Sequence, residues 1–293
     1  MSNSLTFPLT PGAPRSTRIK VQVTGLLALL TSCWAILMFV SLSPYKFDHD
    51  FHDEIDSPVL AVELANSAQA LQAVLQTSNP NNEQSAKTVL RINNRLDLIF
   101  IPLYSGFLWF FADLISTESR GANRYLRFAC FICIVGAAVF DYLEDWGISR
   151  TLNSTQLTDS LVKATRLPSL VKWGLIGSAL FLTSILLLRS APVVYSLATT
   201  RLLGVLYGAA GALMIFGLVR YLFIGVAMKI FSFVIIVNAA GLLGPIVMHH
   251  FPGVEPVYIP NFCERRKLAL TGASSAIRPR HLKPPGDDLP PSD

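Results

Sequence analysis

Charge is what this sequence has least of. Only 15% of its 293 residues are Asp, Glu, Lys or Arg, whereas a soluble domain averages about 25%. The deficit is concentrated. Ile230 to Val254 holds 25 residues without a charged side chain, and Val21 to Ser43 holds 23. Together with a mean hydropathy of +0.47, such runs exclude a soluble enzyme, a coiled coil and a disordered chain, and they predict membrane-spanning helices. Cysteine is scarce too, at four residues, which excludes a disulfide scaffold. Five histidines are too few for a histidine-rich di-iron oxygenase of the desaturase kind. No G-x-S-x-G, H-E-x-x-H, Walker A loop or dinucleotide fingerprint occurs, and no cofactor is expected.

What is present is an all-α pattern. We expect a polytopic transmembrane helix bundle of about six spans, at about 21–42, 95–116, 125–149, 168–188, 201–219 and 229–249. Twenty residues at about 1.5 Å each cross the ~30 Å hydrocarbon core. Helices are required because an unpaired backbone amide in lipid is too costly. The third span has the weakest signal by composition, since only Phe128 to Phe140 is free of charge. The first apolar run is too long for a signal-peptide core, and Pro44 follows its one small-x-small site, so we read it as a retained helix.

Residues 1–20 form a polar segment, 43–94 an extramembrane loop, and 250–293 a Pro-rich tail expected to be largely disordered. Within the loop, Pro58 to Gln76 reads as one amphipathic helix, with Leu60, Leu64, Ala68, Leu71 and Leu75 at helical spacing. That face is expected to pack on the bundle or on the lipid surface.

The net charge of +5 does not point to nucleic acid, because the basic residues flank apolar spans and no basic patch is interleaved with aromatics. With the N-terminus inside, the inner ends carry 11 basic residues against 10 outside. Arg15, Arg18 and Lys20 precede the first span, which usually dominates orientation. Both termini are therefore expected in the cytoplasm, with the protein integral to a plasma or inner membrane and the lipid bilayer as its principal partner.

The candidate site centres on Phe140–Trp146, FDYLEDW. Asp141, Glu144 and Asp145 lie at i, i+3 and i+4 and share one helix face. Asp97, Lys172 and Arg220 fall at the same expected membrane face. Carboxylates at that depth face a cavity or a cationic partner. The opposing reading ends the third span near Phe140 and leaves the acids among headgroups, with Tyr142 and Trp146 as interface aromatics. His49 and His52 are weak candidates for a metal site, since two nitrogens in an acidic loop do not enforce a geometry. Cys130-x-x-Cys133 reads as small apolar residues in a helix and Asn238 as an interhelical hydrogen bond. Gly204 and Gly208 form a small-x-x-x-small pattern, suited to packing within the chain or to self-association.

Three functions fit. The chain binds or moves a small solute or a proton through the acidic and basic cluster; it is an accessory membrane subunit; or it is a lipid-active enzyme using the carboxylates as acid and base.

Overall fold

The structure, a computed structural model, describes residues 15–42, 58–76, 78–79, 82–116, 122–189, 195, 197–219 and 222–250. Their elements, in chain order, are α1 (Arg15–Leu42), α2 (Pro58–Leu64), α3 (Ala68–Gln76), β1 (Ser78–Asn79), β2 (Asn82–Ser85), α4 (Ala86–Ser116), α5 (Ala122–Asn153), α6 (Asp159–Arg189), α7 (Leu197–Gly217) and α8 (Leu222–His250). Six of these helices are long and apolar enough to cross a membrane. The chain is therefore an all-α, multi-pass bundle. The only strands among the described residues form a small antiparallel ladder, β1 with β2.

Neighbouring long helices pack in sequence order, and α1 touches both α4 and α8, so the six close into a ring. The ring buries an apolar core that includes Phe107 and Phe111 of α4, Leu180 of α6 and Tyr207 of α7. Outside, the pattern is inverted relative to a soluble protein. On α5, Phe128, Ile132, Val135, Val139 and Trp146 are all exposed, a stripe at helical spacing that only an apolar solvent would tolerate. Its opposite face buries Asp141, Glu144 and Asp145. Some hydroxyls facing the bundle are satisfied within their own helices: Thr31 donates to the Leu27 carbonyl, and Thr183 to that of Ala179.

The segment from Pro58 to Gln76 is two helices rather than one. The chain breaks at Ala65–Ser67, where the Ser67 hydroxyl accepts from the Ala70 amide and so caps α3. A single straight helix would carry only one apolar face, whereas the break lets two faces follow the bundle's curved end. Leu60 and Leu64 join the main core. Val62, Leu71, Val74 and Leu75 form a second core with Leu90 of α4, Ile148 and Leu152 of α5 and Val162 of α6. These two helices thus cap one end of the bundle. Within the expected loop 43–94, the chain is already helical from Ala86, where α4 begins. Its first turns are polar yet helical because the cap covers them.

Two prolines shape the same end. Pro102 in α4 and Pro168 in α6 each deprive a carbonyl four residues back of its helical donor. The Leu98 carbonyl instead accepts from the Tyr142 hydroxyl of α5 at 3.5 Å. The Ala164 carbonyl faces Gly147 of α5, where a Cβ would lie 2.8 Å from its oxygen. Gly147 therefore allows α5 and α6 to meet closely just beside the buried acids.

Candidate functional site

Helix α5 continues to Asn153, so Asp141, Glu144 and Asp145 sit on an unbroken helix, and all three are buried against the bundle. From Arg127 to Arg150 is 23 residues, about 35 Å of helix, and a ~30 Å hydrocarbon core fits between them with Asp141 inside it.

Lys172 of α6 is the hub. Its ammonium lies 2.5 Å from Glu144 Oε2, 3.0 Å from Asp141 Oδ1 and 3.5 Å from Glu63 Oε1. All four side chains are at least 95% shielded. The i, i+3 spacing of Asp141 and Glu144 brings both carboxylates to the same ammonium, while Glu63 reaches it from the cap. The second oxygens are held as well. Tyr104 of α4 donates to Asp141 Oδ2 at 2.8 Å. Ser169 and Trp173 of α6 donate to Glu63 Oε2 at 3.2 and 3.0 Å. The Lys172 ammonium also sits 4.7 Å from the centre of the Trp173 ring.

Asp145 is buried on the same face of α5, but its Oδ2 accepts no hydrogen bond among the described residues. Nor does the buried Oδ1 of Asn93, one turn before Asp97. Asp97 is half-buried and within electrostatic reach of Asp141, Asp145, Lys172 and Glu63. The fold thus brings together five of the six residues expected from sequence. Arg220 lies outside the described residues, as do His49 and His52. Among the described residues no group of three or more His, Cys, Asp or Glu is placed to hold a metal ion; the carboxylates surround an ammonium instead.

Glu63 is the member of the cluster that the sequence pattern did not single out. A signal existed, since it is the only charged residue between Pro58 and Gln76 and it lies one turn after Leu60 in a helix expected to pack inward. Tyr104, Ser169 and Trp173 carried no comparable signal, because a lone aromatic or hydroxyl in an apolar helix is ordinary.

The remaining candidates are engaged within the bundle. Asn238 of α8 accepts from Tyr195 at 2.8 Å and donates to Tyr207 of α7 at 3.2 Å. Cys130 is a buried free thiol against the Ala179 carbonyl and Thr183, and Cys133 is also free. The Gly204 and Gly208 faces are covered by α6 of the same chain, with Leu188 and Ser184 within 3.0 Å of where a Cβ would sit. A second copy of the chain would have to displace α6 to use them.

No protein-family model, curated protein or solved structure matches this chain.

Proposed function

We propose that this multi-pass membrane protein binds and releases a proton at the Lys172 cluster, in support of binding or moving a small solute. The observation that carries this reading is a charge imbalance in a buried place. Glu63, Asp141 and Glu144 share one ammonium, a formal charge of −2 if all three are ionised. Buried Asp145 and half-buried Asp97 would make it more negative. A low-dielectric interior does not hold such an excess; it is balanced by protons shared within the cluster or by a bound cation. An orphaned Asp145 oxygen supplies a place for either. Asp97, the least buried of the five acids, is the natural port of exchange, and Glu63 ties the occupied state to the seating of the cap.

The test is infrared difference spectroscopy of the protein in nanodiscs through an acid-to-alkaline titration. The expected result is a protonated-carboxyl band that weakens in Glu144→Gln and Asp141→Asn and is unchanged in Asp113→Asn, at the far end of α4. A wild-type spectrum without such a band at any pH would end this reading. The accessory-subunit reading is favoured by one feature, the closure of the cluster by Tyr104, Ser169 and Trp173, and it expects these variants to lose stability with no titrating band.

A further inference from the structure

A different part of the molecule has the build of a lipid site. At the end of the bundle opposite the cap, Asp113 of α4 accepts from Lys20 of α1 at 2.6 Å and from Arg127 of α5 at 2.9 Å. The Lys20 and Arg127 side chains remain 36% and 43% exposed. An ammonium has three donors and a guanidinium five, so most of their donors are still available. Arg124 is exposed on the next turn. The mouth therefore carries a local charge of +2 among the described residues.

This basic mouth opens into a cleft of about 700 Å³ between α4 and α5, walled by Trp109, Phe128, Phe131 and Ile134. Trp109 and Ile134 also line a second, narrower cleft of about 290 Å³, which continues past Gly106, Ala138 and Val139 to Tyr142. The two adjoin along one seam, with the Trp109 ring packed edge-on against Phe131 at the wall they share. From Arg124 to Tyr142 the seam follows 18 residues of α5, about 27 Å, longer than the ~15 Å half-thickness of a hydrocarbon core. Cations at one end and two adjoining apolar clefts leading away from it match an amphiphile with an anionic head. A soluble anion would leave the clefts empty, and a zwitterionic head would gain little from the surplus charge.

We propose that the α4–α5 seam binds an anionic phospholipid, its phosphate held by Arg124, Arg127 and Lys20 and one acyl chain lying along Trp109 and Ile134. The lipid comes from the leaflet on the side where α1 begins. Arg124 and Arg127 are the specificity residues: either head offers a phosphate to charge-assisted bonds, but the choline ammonium of a zwitterionic head is repelled by the surplus positive charge.

The full-length chain, delipidated in neutral detergent, is titrated separately with phosphatidylglycerol, phosphatidylcholine and glycerol 3-phosphate while its melting temperature is followed. Phosphatidylglycerol is expected to raise it at far lower concentration than phosphatidylcholine, and glycerol 3-phosphate to leave it unchanged. Arg124→Gln should weaken the phosphatidylglycerol response about tenfold and narrow the gap between the two lipids. Ala138→Trp, which fills the narrower cleft at a lipid-facing seam, should blunt the same response. Equal responses to the two lipids would overturn the proposal, as would stabilisation by glycerol 3-phosphate alone. A fall in oligomer size on Ala138→Trp would also overturn it, because a second copy would then be the occupant. Should either variant not fold, competition of the two lipids for the wild type, followed by native mass spectrometry, decides: preferential retention of phosphatidylglycerol supports the proposal and equal retention overturns it.

Discussion

Removing Asp141 and removing Lys172 are not symmetrical changes, because the lysine has three carboxylate neighbours while each carboxylate relies on the one lysine. From the sequence alone Asp141 looks like the counter-ion whose loss orphans the base. In the structure, Asp141→Ala leaves Lys172 with Glu144 and Glu63, and the main orphan is the Tyr104 hydroxyl. The expected loss is about 1–3 kcal/mol. Lys172→Met leaves three acids facing one another, and its expected loss is about 3–5 kcal/mol, eased in acid where protonated carboxyls no longer repel. The double variant should be more stable than the sum of the singles implies, since Asp141→Ala removes one of the repelling groups. Thermal unfolding in nanodiscs checks all three. Small, additive losses, each under about 1 kcal/mol, would place these groups in headgroup water.

Between elements, the approach of α5 to α6 and the seating of α2 are what assemble the cluster. Gly147 is the sharpest probe of the first. Its missing Cβ would meet the Ala164 oxygen at 2.8 Å, whereas at Gly225 of α8 nothing lies within 4 Å. Gly147→Ala is expected to cost about 1–3 kcal/mol by forcing the helices apart. Gly225→Ala should be neutral or stabilise by up to about 1 kcal/mol through helix propensity. Equal effects in a melting experiment would mean that the seam is not close-packed. For the second, Glu63→Ala removes a carboxylate that Ser169, Trp173 and Lys172 all engage. Amide hydrogen exchange across residues 58–76 should then speed by about tenfold or more while α6 and α7 keep their protection. Glu63→Gln, which can still accept from Trp173, should show a smaller change. Unchanged exchange in both variants would show that the cap is held by its apolar contacts alone.

For the whole molecule, six crossings put the start of α1 and the end of α8 at the same end of the ring, with the cap at the other. The expectation that the start of α1 faces the cytoplasm rests on Arg15, Arg18 and Lys20 in its first turns. In a background with Cys33, Cys130, Cys133 and Cys263 replaced by serine, Leu5→Cys should be labelled by an impermeant thiol reagent only after the membrane is opened. Pro80→Cys should be labelled in intact cells. Labelling of both from one side contradicts the single crossing by α1 between these positions.

Span number, helix type and the acidic face of α5 were legible in the sequence because each depends on neighbours within one or two turns. Long charge-free runs can only be helices in lipid, and the i, i+3, i+4 spacing of Asp141, Glu144 and Asp145 fixes a face whatever surrounds it. Counting residues along the spans also set Lys172 and Asp97 level with the acidic face, where the structure has them. It could not show what that face meets. Trp173 and Glu63 are 110 residues apart, and their contact depends on how α2 lies across α5 and α6, on the break at Ala65–Ser67, and on the absence of a Cβ at Gly147. Those are properties of packed surfaces, which no local periodicity encodes. The tertiary structure alone decided that the acids turn inward, that one lysine serves three of them, and that a residue from the extramembrane segment closes the set.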